Sequence, residues 1–171
     1  GRLDATNVVD PLVSVITPIG LDHREYLGPD IPTIAGEKCG IIKKDRPVVY
    51  AQTDPSAEEV ILRTAGERGC RVIPATERVR ILRKRQTLDG QTLRIESDGY
   101  DYGVVRLPLL GRHQMLNTAL AVVTVETVFE ELGIPLSPDI VRAGLETVRW
   151  PGRLQVLAHD PLVLLDGAHN P

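Results

Sequence analysis

The feature that most constrains this chain is an alternation of short apolar runs and longer helical stretches through its first half. Leu12-Val13-Ser14-Val15-Ile16-Thr17, Pro47-Val48-Val49-Tyr50-Ala51 and Arg71-Val72-Ile73 are short and rich in β-branched residues, as buried strands are. Between them a helix is expected from Ile31 to Ile42, with Pro32 in its first turn, although Gly36 and Gly40 count against it. A second is expected from a Ser56 cap to about Arg68, with Gly69 as its stop. Strands separated by helices pair side by side in parallel, with the helices crossing over the sheet. The expected fold class is therefore α/β, a mostly parallel sheet flanked by helices.

The pattern changes from Val79 to Leu109. Asp89-Gly90 lies between Ile81-Leu82 and Leu93-Arg94-Ile95 and predicts a hairpin, a second turn falls near Asp98-Gly99, and a further strand runs from Tyr102 to Leu110. This is a small antiparallel β insertion. The longest helix is expected from His113 to Leu132, stopped by Gly133 and Pro135. Ser137 then caps a helix from Pro138 to about Val148. Pro151-Gly152 breaks it, and two strands follow, Arg153 to Ala158 and Leu162 to Leu165.

Composition narrows the function classes. A formal net charge of -3 gives no global basic field to draw in nucleic acid. The local run Arg78, Arg80, Arg83, Lys84, Arg85 alternates partly with apolar residues, as one solvated face of a strand would. No aromatic residues are interleaved to stack on bases. The two cysteines, Cys39 and Cys70, are too few for a secreted disulfide scaffold, which points to the reducing cytoplasm. No targeting segment and no apolar stretch long enough to span a bilayer is visible. The chain opens on Gly1-Arg2-Leu3-Asp4 and stops in a turn-like peptide after an apolar strand, so it is expected to be a piece of a longer protein.

Several polar residues sit where chemistry is often done. Asp22-His23 follows the first strand, and ligands of open α/β sheets bind outside the carboxyl ends of strands. A neutral imidazole there can ligate a metal or relay a proton; the plainer alternative is a surface histidine. Lys38, within Ile34 to Ile42, is set among apolar residues, where a neutral amine can act as a nucleophile. Its alternative is a solvent-facing lysine paired with Glu37 or another acid. Asn117 interrupts an apolar helix and shares a face with Gln114; its amide suits the edge of a heteroaromatic ring, or it is merely the polar border of the helix. Asp166-Gly167-Ala168-His169-Asn170 again puts an acid and a histidine at a strand end, or forms an Asx-type turn. Arg153 can clamp phosphate with its planar fork, or serve only at the surface. There is no GxxxxGK[ST] phosphate loop in the chain. The residues alone suggest a polar site at sheet ends and name no reaction.

Taken in order, the motifs resemble the folylpolyglutamate synthase / dihydrofolate synthase family, related to the Mur ligases of cell-wall synthesis. The residues that carry the resemblance are Gly1 to Asn7, Thr17 to His23 with Leu27-Gly28, Ile34 to Ile42 around Glu37-Lys38, Gly111 to Ala121, Pro151-Gly152-Arg153, and Asp166 to Pro171. The resemblance implies a Mur ligase central-domain-like fold. Residues 1–150 would be a partial central ATPase domain without its phosphate loop, and 151–171 a linker and the start of a C-terminal domain. It implies an ATP-dependent ligase that phosphorylates a carboxylate of folate or dihydropteroate and lets the amine of glutamate displace the phosphate, with Mg2+ beside the phosphates.

By the same resemblance, His23 would ligate one magnesium ion, accompanied by Asp22. Lys38 would be carbamylated and assist a second. Asn117 would face the adenine, Arg153 the phosphates and Asp166 the ribose, with His169 in the same ATP site. The parent protein is expected to be a monomer acting on small molecules, with neither nucleic acid nor membrane as partner, and the fragment by itself to be inactive. Two other readings stay open: a Mur-type ligase adding an amino acid to a nucleotide-linked peptide, and a stand-alone non-catalytic domain for binding or assembly.

Overall fold

The computed structural model describes residues 1–21, 27–51 and 53–167. Its first layer is a three-stranded parallel sheet in the order β1 (Ser14–Ile16), β2 (Val48–Tyr50), β3 (Val72–Pro74), with Val15 opposite Val49 and Val49 opposite Ile73. The crossovers are α1 (Ile31–Cys39) and α2 (Pro55–Glu67). This is the α/β arrangement expected from the alternation of apolar runs. Both helices carry proline in their first turn and an aspartate at the cap, Asp30 for α1 and Asp54 for α2. The cap of α2 is thus Asp54, one residue before the helix, and not Ser56. The carboxylate of Asp54 accepts from the backbone N–H of Ser56 at 2.9 Å and from its hydroxyl at 2.6 Å. A carboxylate satisfies the orphan N–H groups and also meets the positive end of the helix.

Successive side chains of a strand point to opposite faces of the sheet. Val48 and Tyr50 of β2 accordingly join Ile34, Ala35 and Cys39 of α1 and Ala57, Ile61 and Ala65 of α2 in one apolar cluster. Val49 and Ile73 join the other, with Leu93, Ile95, Tyr102 and Val105 and the inner face of the long helix. Val48 and Val49 are both fully buried. Each such burial is worth about 1.5–3 kcal/mol against exposure, which explains why these strands are apolar on both sides.

After a single helical turn, α3 (Ala75–Arg78), an antiparallel sheet follows in the order β4 (Val79–Thr87), β5 (Gly90–Ser97), β6 (Asp101–Leu107). It has as many strands as the parallel sheet and longer ones. Thr87 pairs with Gly90, so the predicted Asp89-Gly90 turn is in place. Gly90 has φ 131°, and a Cβ there would lie 2.3 Å from the carbonyl oxygen of Leu107. Arg80, Arg83, Lys84 and Arg85 are all exposed, so the basic run is a solvated strand face.

The helix α4 (His113–Leu132) matches its predicted bounds, and Gly133 at φ 66° ends it. Tyr102 of β6 is fully buried and its hydroxyl donates to Glu126 of α4 at 2.6 Å, tying the antiparallel sheet to the helix. The last helix, α5 (Pro138–Thr147), starts at Ser137, whose side chain makes no cap hydrogen bond. A separate hairpin, β7 (Gln155–His159) and β8 (Leu162–Leu165), closes the described chain. Among the described residues no helix is long and apolar enough to cross a membrane.

Candidate functional site

Lys38 stands on the last turn of α1 and is half-buried. The last carbonyls of a helix lack partners within it. Here the first residues of the chain supply them. The N–H of Arg2 donates to the carbonyl of Glu37 at 2.8 Å, and the Asn7 amide donates to the carbonyls of Arg2 at 3.0 Å and Gly40 at 3.4 Å. The Arg2 guanidinium also pairs with the Glu37 carboxylate. The acid expected as the alternative partner of Lys38 is therefore engaged by Arg2. Gly40 has an ordinary φ of -56°; its lack of a side chain matters for another reason, since a Cβ would fall 2.7 Å from the Cα of Arg2.

At the carboxyl edge of the parallel sheet, the loops after β1 and β2 are stitched together. The N–H of Ala51 donates to the carbonyl of Ile16 at 3.2 Å, and that of Ile19 to the Thr53 hydroxyl at 3.1 Å. Asp22 and His23 follow this loop and lie outside the described residues, as does His169. A small cleft of about 280 Å3 opens beside this edge, lined by Tyr50, Glu58, Pro74, Thr76 and Glu77. The Tyr50 hydroxyl donates to Glu58, and burial, then this carboxylate, raises its pKa. The sequence reading missed this cleft, because nothing in the spacing of Tyr50 and Glu58 marks them as a pair.

Asn117 lies near the amino end of α4, and Arg153 and Asp166 each adjoin one of two hydrogen-bonded glycines. The Asn117 amide donates to the Gln114 side-chain oxygen at 3.0 Å; Gln114 is buried and Asn117 exposed, so one amide fixes the other at the surface. Gly111, at φ 101°, begins this turn, and a Cβ on it would sit 2.5 Å from the His113 ring and 3.3 Å from the Leu154 side chain. Arg153 therefore adjoins a residue whose side chain lies close to the Gly111 turn that leads into α4. On the other side, the N–H of Gly167 donates to the carbonyl of Gly152 at 2.7 Å, which sets Asp166 beside the turn that carries Arg153. That turn is held by the Gln155 amide oxygen, which accepts from the N–H of Gly152 at 2.9 Å.

Arg153 and Asp166 are exposed. Arg153 lines a cleft of about 450 Å3 between the residues joining β6 to α4 and those following α5, with Leu109, Trp150 and His159 also on its walls. Trp150, the chain's one tryptophan, went unremarked in the sequence although it directly precedes Pro151-Gly152-Arg153. Gln91 also went unremarked, and a glutamine inside a strand carries no sequence signal at all. Neither Asp166 nor Asn117 lines this cleft; a cationic fork, a carboxylate and an outward amide are the chemistry that can bind the phosphate, ribose and base edge of a nucleotide.

Among the described residues no group of three or more histidine, cysteine, aspartate or glutamate side chains could hold a metal ion. Magnesium takes oxygen ligands, so Lys38 fits such a role only as a carbamate.

The Mur ligase middle domain profile matches residues 1–125. The dihydrofolate synthase/folylpolyglutamate synthase of Bacillus subtilis (strain 168) is 40% identical over 171 residues, covering 99% of this chain and 40% of that protein. A solved FPGS–AMPPCP–folate complex superposes with TM-score 0.95 at 35% identity, covering 100% of this chain and 42% of that one. A Mycobacterium tuberculosis folylpolyglutamate synthase complexed with ADP gives TM-score 0.88 at 40% identity, over 100% of this chain and 38% of that one. The chain spans about two fifths of the length of these relatives. The parallel sheet with its crossovers, the antiparallel insertion and the profile match over most of the length agree: this chain belongs to the Mur ligase middle domain family.

Proposed function

We propose that this chain is part of an ATP-dependent, amide-forming ligase that adds glutamate to folate or dihydropteroate. In this reading the carboxylate of the pteroate substrate attacks the terminal phosphorus of ATP, and ADP leaves. The amine of glutamate then attacks the acyl phosphate, phosphate leaves, and an amide remains. The observation that carries the reading is the Gly167–Gly152 hydrogen bond that sets Asp166 beside the turn carrying Arg153, with Leu154 next to the Gly111 turn that leads into α4 and its Gln114–Asn117 pair. Further support comes from relatives that match this chain over its whole length and were solved in complex with ADP, an ATP analogue and folate.

Each residue has a role in this reading. Arg153 binds and orients phosphate, which is most of what an enzyme must supply in phosphoryl transfer. Asn117, held by Gln114, meets the edge of the adenine, and Asp166 accepts from the ribose; His169 belongs to the same site. Magnesium would supply charge neutralisation at the phosphates, held by His23 and by Lys38 as its carbamate. Residues 1–150 form the central part of this ATPase unit, and 151–171 the passage into the next; the break at Pro151-Gly152 and the separate β7–β8 sheet support that division. The phosphate loop that the reading needs lies outside this stretch. The parent acts in the cytoplasm as a monomer on small molecules, with neither nucleic acid nor membrane as partner; the net charge of -3 and the two free cysteines support this.

The test is ADP release by the full-length protein with ATP and magnesium. Release that requires both a folate and glutamate is expected; release indifferent to either overturns the reading. The family profile alone fits equally a Mur-type ligase acting on a nucleotide-linked peptide. A panel of carboxylate acceptors in the same assay separates the two.

A further inference from the structure

Gln91, the second residue of β5, is 1% exposed, among the few polar side chains the fold buries. Its side-chain nitrogen donates to two backbone carbonyls, Leu109 at 2.9 Å and Gly111 at 3.0 Å. Both acceptors are carbonyls, so the amide has one possible orientation, with its nitrogen toward the turn. Its oxygen meets no donor among the described residues. A buried amide that leaves its acceptor unsatisfied costs stability, so its position calls for a reason beyond packing.

The carbonyls it holds belong to the connection between β6 and α4. Gly111 has a left-handed backbone, and a Cβ on it would run into the His113 ring and crowd the Leu154 side chain. Its carbonyl also accepts from the N–H of Gln114 at 3.2 Å, so the same oxygen joins Gln91 to the first turn of α4. Gln91 thus holds the turn from which the Gln114–Asn117 pair springs. The Asp89-Gly90 turn next to it is itself pressed against Leu107. The antiparallel insertion therefore reaches back and grips the start of α4.

The geometry points to Gln91 as a positioning residue for the base end of the nucleotide site, an inference that rests on the ligase reading above. Gln91 touches no nucleotide; it acts by holding the Leu109–Gly111 turn. Replacing its two donors leaves two buried carbonyls to find other partners, and the turn shifts to expose them.

The test is steady-state kinetics of the full-length protein carrying Gln91→Met, which keeps the length and removes the donors, or Gln91→Glu. Leu93→Val on the same buried strand is the control for general destabilisation. In both Gln91 variants, KM for ATP is expected to rise about tenfold, the scale of a buried hydrogen-bonding loss. kcat and the KM values for folate and glutamate change little, and Leu93→Val leaves KM for ATP unchanged. Amide exchange at Gln114 and Met115 should quicken in Gln91→Met while β5 and β6 stay protected.

An unchanged KM for ATP, a loss of kcat alone, or variants that fail to fold would each assign Gln91 to general stability and overturn the inference. If the unaltered protein shows no dependence on ATP, the ligase reading falls. Amide exchange then decides alone: unchanged rates at Gln114 and Met115 refute the grip on the turn, and faster rates sustain it.

Discussion

The backbone N–H of Gly167 donates to the carbonyl of Gly152 at 2.7 Å, and this one bond brings Asp166 beside the turn that carries Arg153. A guanidinium and a carboxylate set beside one turn suit the two ends of a ribose phosphate. In the full-length protein, Arg153→Ala should raise KM for ATP about ten- to a hundredfold, the range for losing hydrogen bonds to a charged group. Arg153→Lys should recover only part of this, because an ammonium lacks the planar fork. Steady-state kinetics at varied ATP checks it, and a KM unmoved in Arg153→Ala removes the residue from the site.

Lys38 makes a different prediction. If it acts as a carbamate, Lys38→Ala should lose most activity, and added bicarbonate should not restore it, because the amine that carries the group is gone. Short carboxylic acids such as acetate should restore part, by placing an oxygen donor in the space left. Full activity in Lys38→Ala, measured as folate- and glutamate-dependent ADP release, refutes the role.

Two glycines, one inside α1 and one just past its end, should respond with opposite signs. A Cβ on Gly40 would meet the backbone of Arg2, while one on Gly36 would meet nothing within 4 Å. Gly40→Ala should therefore destabilise by about 1–3 kcal/mol, as overpacking does. Gly36→Ala, in an open helix interior, should stabilise by roughly 0.5–1 kcal/mol. Urea midpoints at constant m-value give both numbers.

Acid should weaken the helix starts. Asp30 and Asp54 accept hydrogen bonds from the side chains, then the backbones, of Thr33 and Ser56, which hold their carboxyls below the usual 3.8. A depressed carboxyl stabilises the fold above its ordinary value, and that share is lost as pH falls through the depressed one. Melting temperatures should thus fall with growing steepness below about pH 4, and Asp54→Asn, which keeps a capping oxygen and has no charge to lose, should flatten that fall. An identical slope in Asp54→Asn counts against the caps.

The elements were legible in the sequence wherever one periodicity dominated. The apolar runs around Val15, Val49 and Val72, the Asp89-Gly90 hairpin and the helix from His113 to Leu132 all stand where the residues place them. Helix ends were less so: α1 stops at Cys39 because the chain's own start caps it through Arg2 and Asn7, a contact between residues far apart in sequence. Candidate site residues showed the same divide. Asn117 stood out as a polar intruder in an apolar helix, and Arg153 and Asp166 by their place beside Pro151-Gly152 and a strand end. Gln91 did not, because its importance lies in two carbonyls on another segment. Asp22, His23 and His169 fall outside the described residues.

Val48 and Val49 are consecutive, yet each is a fully buried member of a different apolar cluster. The short strand β2 is thus a party wall between two rooms. Loosening either room strips one face of that wall, and a strand bared on one side has little reason to keep its hydrogen bonds on the other. Heat should accordingly bring both layers down in a single step, with the amides of β2 the last in the molecule to surrender their protons to deuterated water.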